Sequence, residues 1–112
     1  MTSRLFHPIL LIIIYCLLGA DLPVDPCRVY GVIYIDPQPD RVEFLVYEES
    51  SEVFADLLVY DEENRLFADR SGMWHITDNR ALADHTIHLV DNSSSAHFSI
   101  YFTNIISIAG CR

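Results

Sequence analysis

Apolar and polar residues recur along this chain in a unit of thirteen residues. The unit is clearest at Ala55–Phe67, which reads ADLLVYDEENRLF. Further copies lie on both sides of it, with Ser71-Gly72 as a two-residue insertion and the last copy cut off by the C-terminus. The copies start at Val29, Val42, Ala55, Ala68, Ala83, Ala96 and Ala109. A constant period predicts that each copy is one structural unit that packs against other copies.

Each unit has an apolar face with a period of two. Counting from zero at each start, positions zero, two and four are mostly apolar, and this spacing is typical of a half-buried strand. Position four reads Ile33, Val46, Val59, Trp74, Ile87 and Ile100. Segments rich in Asp, Asn and Ser separate these runs and predict turns. We therefore predict an all-β fold of about seven short strands, one to a unit.

Two further columns of residues follow the same period. A late apolar residue in most units is predicted to anchor the turn in the core, at Phe54, Phe67, Leu82 and Ile108. Position five carries a planar ring with a polar tip, and these rings are predicted to form a ladder on the opposite face: Tyr34, Tyr47, Tyr60, His75, His88 and Tyr101. An open sheet would leave two exposed edges, so we predict closure into a compact ring or toroid.

The N-terminus has the pattern of a secretory signal peptide. Arg4 precedes the apolar run Ile9–Leu18, and the small residues Gly19 and Ala20 follow it. We predict a signal peptide at 1–20, a linker at 21–28 and a single β-repeat domain at 29–112. A retained membrane anchor is the alternative, but the run falls short of the roughly 20 apolar residues that a spanning helix needs.

Two cysteines remain once Cys16 leaves with the signal. Cys27 and Cys111 bracket the repeats, and in an oxidising compartment they are predicted to form a disulfide. Asn92 opens the sequon Asn-Ser-Ser in a polar turn, which predicts N-glycosylation. Both features favour a secreted, extracellular protein.

The charge of the chain excludes several classes of partner. The net charge is −9, it becomes −10 when Arg4 leaves with the signal, and the chain contains no lysine. Such a protein is repelled by nucleic acid and by anionic membranes, and it lacks the amine for Schiff-base chemistry. The expected partner is an unknown extracellular molecule, with no membrane contact after cleavage.

The Ala-Asp starts of the units carry a resemblance to a known family. ADLLVY at 55–60, ADHTIH at 83–88 and, more loosely, AHFSIY at 96–101 resemble the 7(1) septoil knot domain family over 29–111. The resemblance implies a toroidal β fold whose backbone is threaded as a seven-crossing torus knot. It implies no catalytic residues that could be transferred to this chain.

Two groups of residues invite a chemical interpretation. His75, His88 and His97 share one face, where Asp69 or Asp84 could complete a zinc site. Repetition favours a structural role for the carboxylates at position one, which are predicted to satisfy backbone groups where strands begin: Glu43, Asp56, Asp69 and Asp84.

The sequence thus predicts a secreted, disulfide-closed, non-enzymatic binding or structural module. No catalytic residue, cofactor or metal is assigned to it. An acidic rim and the ring ladder would be its contact surfaces. The alternatives are a metal-assisted hydrolase that uses the three histidines and a secreted, toxin-like effector, although the acidity and the absence of lysine count against an effector.

Overall fold

The computed structural model describes residues 23–112, so the predicted signal peptide lies outside the described residues. Seven strands are found: β1 (Gly31–Ile35), β2 (Phe44–Glu48), β3 (Leu57–Asp61), β4 (Met73–Thr77), β5 (His85–Val90), β6 (Phe98–Phe102) and β7 (Gly110–Cys111). A single 3-10 turn precedes each strand: η1 (Pro26–Arg28), η2 (Pro39–Arg41), η3 (Glu52–Phe54), η4 (Arg65–Phe67), η5 (Arg80–Leu82), η6 (Ser93–Ser95) and η7 (Ile106–Ile108). The predicted all-β class is confirmed. Over this range, no helix has the length and apolarity to cross a membrane.

The 3-10 turns have a local cause that repeats with the unit. In four units a Ser or Asn at position nine accepts a hydrogen bond from the backbone N–H two residues later. These capping residues are Ser51, Asn64, Asn79 and Asn92. Short polar side chains of this kind satisfy the first free donors of a helical turn. The strands therefore end, and the chain reverses, at the same point of each unit.

The strands close into a ring. Six strands pair in the order β4-β1-β5-β2-β6-β3, all of them parallel, and β3 also pairs with β4. On one edge of β3, β4 pairs with the C-terminal half, where Tyr60 faces Met73. The short β7 runs antiparallel along the N-terminal half of that edge, where Leu58 faces Gly110. The seventh strand thus fills the remaining part of the β3–β4 seam, and the predicted ring is confirmed.

The chain passes round this ring twice. Each step along the sequence advances the chain by two places, so β5, β6 and β7 are inserted between strands laid down on the first circuit. Parallel neighbours require a crossover connection. Accordingly, η2 contacts β5, η3 contacts β6 and η6 contacts β2, each turn crossing a strand of the other circuit.

The inside of the ring is filled by the residues at position four. All six are fully buried, as predicted: Ile33, Val46, Val59, Trp74, Ile87 and Ile100. Trp74 is the largest of them, and its indole Nε1 donates a hydrogen bond of 2.7 Å to the carbonyl of Val29. Buried position-zero and position-two residues, such as Val29 and Leu57, extend the same cluster. Because the centre is packed, the crossover connections must run outside the ring.

The two ends of the repeat array meet at the β3–β4 seam. Gly72, in the two-residue insertion, has a φ of +81°, and a Cβ there would collide with the backbone of Gly110 and Leu58. The insertion therefore supplies the glycine against which the last unit packs. The predicted disulfide is present here: Cys27 and Cys111 are bonded, with their Cα atoms 5.3 Å apart.

Candidate functional site

The late apolar residues of the units lie on the outer surface and not in the core. Phe54 is 71% exposed, Phe67 59%, Leu82 56% and Ile108 40%. Each ends a 3-10 turn of a crossover connection, and these connections pass over the outside of the ring. The prediction that these residues anchor the turns in the core was therefore wrong.

The crossover turns have a definite order round the outside of the ring. Turn η7 leaves β6 and reaches β7 on the other edge of β3, so it crosses β3. Turn η3 crosses β6, η4 runs against β4, and η5 connects the two strands that flank β1. Neighbouring turns touch, since Arg80 of η5 donates a hydrogen bond to the carbonyl of Arg41 in η2. The order is therefore η3, η7, η4, η5, η2, η6, closing again on η3.

Exposed apolar side chains occupy one continuous part of this order. We call η3, η7, η4 and η5, with the residue before η7, the apolar sector. Its exposed apolar members are Val53, Phe54, Leu66, Phe67, Leu82, Ile105, Ile106 and Ile108. Apart from Tyr30, these are all the large exposed hydrophobic residues of 23–112. The two remaining crossover turns are polar: η2 (Pro39–Arg41) and η6 (Ser93–Ser95). An apolar surface that is confined to one side marks an interaction site more often than scattered residues do.

Carboxylates gather at one rim of the ring. Because the six ring strands are parallel, their C-terminal ends all lie at the same rim. The acidic residues that follow β2, β3, β4 and β5, or end these strands, define what we call the acidic rim: Glu48, Glu49, Asp61, Glu62, Glu63, Asp78 and Asp91. Within 23–112, none of the seven forms an ion pair. The two arginines whose guanidinium groups reach this rim, Arg41 and Arg80, are paired with another carboxylate, that of Asp36.

Asp36 directly follows β1 at the same rim, but it is buried and paired. Its side chain is 4% exposed and accepts a hydrogen bond of 2.6 Å from Arg80 Nη1, while Arg41 Nε lies at 3.9 Å. The Arg80 guanidinium also lies over the ring of Tyr34. This cluster joins η2 and η5 to the end of β1. Sequence reasoning missed it, because Asp36 and Arg80 are 44 residues apart and neither stands in a recognisable motif.

Comparison with known proteins identifies the fold. The family model of the 7(1) septoil knot domain matches residues 26–112. The chain belongs to the septoil knot family. No curated protein and no solved structure matches it. The resemblance predicted from the Ala-Asp units is thus confirmed.

The position-five rings of this septoil knot are half-buried, as predicted, but they do not form a ladder. Apart from β3 and β4, where Tyr60 lies opposite Met73, strands that are consecutive in sequence do not pair. Tyr34 lies opposite Thr77 and Thr86, and Tyr101 lies opposite Leu58. The aromatic pairs of the described residues involve other side chains, such as Phe44 and Trp74. The prediction of a ring ladder as a contact surface was wrong.

Both position-five histidines donate a hydrogen bond to a backbone carbonyl at the end of the neighbouring strand. His75 Nδ1 lies 2.8 Å from the carbonyl of Glu62, and His88 Nδ1 lies 2.8 Å from the carbonyl of Asp36. A carbonyl can only accept, so Nδ1 carries the proton in both rings. The histidines thus satisfy backbone groups where β3 and β1 end.

Position-one residues accept hydrogen bonds from a neighbouring strand of the septoil knot. Asp84 Oδ2 accepts from the N–H of Val32 at 2.8 Å, and Asp56 Oδ2 accepts from the N–H of Ser99 at 2.9 Å. In the sixth unit a histidine does the same, since His97 Nδ1 accepts from the N–H of Leu45 at 2.8 Å. The predicted backbone role is therefore correct for Asp56 and Asp84, but the backbone belongs to a strand more than forty residues away. It was wrong for Glu43, whose carboxylate lies 3.3 Å from His85 Nδ1, and Asp69 forms no such hydrogen bond within the described residues.

The structure does not bring the three candidate zinc ligands together. His88 and His97 lie on either side of Leu45, with β2 between them, and His75 is on β4. Across the described part of the chain, the only three metal-ligating side chains that meet are Asp25, Cys27 and Cys111, whose sulfurs are already bonded to each other. The proposed histidine cluster is therefore not formed.

Asn92 is exposed and lies at the start of η6, on the polar part of the outer surface. Its Oδ1 accepts hydrogen bonds from both the N–H and the hydroxyl of Ser94, the third residue of the sequon. Glycosylation of this residue stays a prediction.

The interchange of His and Asp at position one can be tested. Replacing His97 with alanine removes the acceptor of the Leu45 N–H and is expected to lower the free energy of unfolding by about 0.5–1.5 kcal/mol. His97→Asp supplies the acceptor that Asp84 provides in its own unit, so this variant should keep most of the stability. Urea denaturation followed by circular dichroism measures both. Equal losses in the two variants would instead assign the role of His97 to its edge-on packing against Phe44.

Proposed function

We propose that this protein is a secreted, disulfide-closed binding module without catalytic activity. The Cys27–Cys111 bridge supports the extracellular part of the proposal, because such bonds persist in oxidising compartments. The apolar sector carries the binding part. Eight large apolar side chains on adjacent turns are between 40% and 71% exposed, which is an unfavourable arrangement unless a partner covers them.

The ring is suited to present such a surface. The turns that carry the apolar sector are held at both ends by strands of a closed ring whose centre is fully packed. In three of these four turns the first residues are fixed by side-chain caps, at Ser51, Asn64 and Asn79. A surface that is already ordered loses little conformational entropy when it binds.

The compartment is tested by the intact mass of the protein from the medium of secreting cells. We expect a chain that starts at Asp21, takes up two alkyl groups only after reduction, and loses glycan mass when Asn92 is replaced by glutamine. A full-length chain with free thiols, found only inside cells, would contradict the proposal.

Binding is tested with a matched surface variant. Wild-type protein and the double variant Phe54→Ser/Phe67→Ser are immobilised and exposed to extracellular fluid. We expect a protein retained by the wild type and lost with the variant, because the two substitutions remove the most exposed aromatic side chains of the apolar sector. Identical capture by both would show that the sector does not bind.

A further inference from the structure

We propose that the apolar sector and the neighbouring part of the acidic rim form one docking surface for a cationic amphipathic segment of a partner protein. Such a segment has one apolar face flanked by Lys or Arg side chains. This inference rests on the proposed binding function and specifies the chemistry of the partner.

The two parts of the surface are adjacent because the chain joins them within single units. Glu48 and Glu49 end β2 at the rim, and η3, with Val53 and Phe54, follows directly. The next unit repeats the arrangement, with 61–63 (Asp-Glu-Glu) at the rim and 66–67 (Leu-Phe) on the outside. The turn between these two, η7, contributes isoleucines and crosses β3, whose C-terminal end carries 61–63. A partner that lies across η3, η7 and η4 therefore meets apolar side chains with carboxylates along one edge.

The charges that remain free on this side are mostly negative. Arg80 is paired with Asp36, whereas Arg112 donates to the neutral carbonyl of Glu52 and keeps its charge. Within the described residues, Arg65, Arg70 and Arg112 have no ion pair. The carboxylates of this part of the rim have none either, and they outnumber the three arginines: Glu48, Glu49, Asp61, Glu62 and Glu63. Complementary potentials guide association and exclude wrong partners, so the surface favours a cationic partner.

The same charges disfavour two other partners that could cover the apolar sector, namely a second copy of this chain and a lipid surface. A second copy would bring an identical acidic rim against the first, and a lipid surface with anionic headgroups would be repelled. The sequon is compatible with only part of this surface being covered by a glycan. Asn92 precedes η6, which lies beside η3 but across the ring from η4, so a glycan there would leave the part formed by η7 and η4 uncovered.

The probe is a fluorescent eighteen-residue peptide of leucine and lysine arranged as an amphipathic helix. Its control has the same composition in an order that gives no apolar face. Fluorescence anisotropy with the secreted protein measures affinity at low and high salt. We expect binding of the amphipathic peptide, with an affinity that falls as salt screens the charges.

Three double variants separate the contributions. Phe54→Ser/Phe67→Ser should weaken binding by about tenfold or more, since exposed aromatic anchors dominate such interfaces. Asp61→Asn/Glu63→Gln should weaken binding roughly fivefold and reduce its salt dependence. Asp40→Asn/Asp91→Gln removes the same charge beside the polar turns, across the ring from β3, without creating a further sequon, and should change the affinity less than about twofold.

Several results would overturn the inference. Equal weakening by both charge variants, or equal binding of the control peptide, would show a non-specific attraction to an acidic protein. A dimer in sedimentation that Phe54→Ser/Phe67→Ser dissociates would assign the sector to a second copy. Secreted, bridged protein that does not bind the peptide would refute this inference alone, whereas absence of the protein from the medium would refute the proposed function.

Discussion

Replacement of Trp74 by alanine is expected to lower the free energy of unfolding by about 3–5 kcal/mol. The indole is fully buried at the centre of the ring, and its Nε1 donates to the carbonyl of Val29 at 2.7 Å. Alanine would leave a cavity among the position-four side chains and an unpaired carbonyl. Since small domains are stable by only about 5–15 kcal/mol, this one change should remove a large part of the total.

Urea denaturation followed by far-UV circular dichroism measures the effect without the tryptophan signal. Trp74→Phe is the matched control, because it keeps an aromatic ring but loses the donor to Val29. Trp74→Phe should lower the free energy of unfolding by about 1–3 kcal/mol, because a buried acceptor is left unsatisfied and some packing is lost. If the alanine variant unfolded at the same urea concentration as the wild type, the ring would not depend on this packing.

Removal of the Cys27–Cys111 bridge is expected to cost about 4–5 kcal/mol in the chain-entropy description of disulfides. The bonded residues are 84 positions apart, so the bridge restricts nearly the whole unfolded chain. It also holds β7 in the β3–β4 seam, where Gly110 packs against Gly72. The double variant Cys27→Ser/Cys111→Ser should therefore lose most of its resistance to urea and heat.

Wild-type protein that has been reduced and alkylated is the independent control for this prediction. It should unfold at a denaturant concentration close to that of the double variant, since both lack the same link. Each single Cys→Ser variant should behave like the double variant for the same reason. Unchanged midpoints in all of these forms would show that the paired strands alone hold the ends of the chain together.

Residues 61–63 and 66–67 show how much of the candidate surface could be foreseen. Acidic composition and turn residues were evident in the sequence, and a contact role for acidic residues was predicted. The apolar part was instead predicted to anchor the turns, which requires that it be buried. Its exposure follows from the position of η4 outside a closed ring, which the repeat alone does not specify.

The sequence by itself determined the features that depend on local geometry. Alternation of side chains along a strand decides which residues share a face, so position four was assigned to the core before any neighbour was known. Short polar residues favour the turn that follows a strand in four of the units, and cysteines at the two ends of the repeat array predict the bridge.

Only the tertiary structure decided which strands are neighbours. In a chain of near-identical units every strand can pair with every other, so local energies do not select an order. Here the second circuit is inserted into the first, and this insertion separates His88 from His97, prevents a ladder of rings and places Phe54 and Phe67 outside. The physical reason is that the strand residues already fill the centre of so small a ring. The apolar residues of the crossover turns therefore remain on the surface.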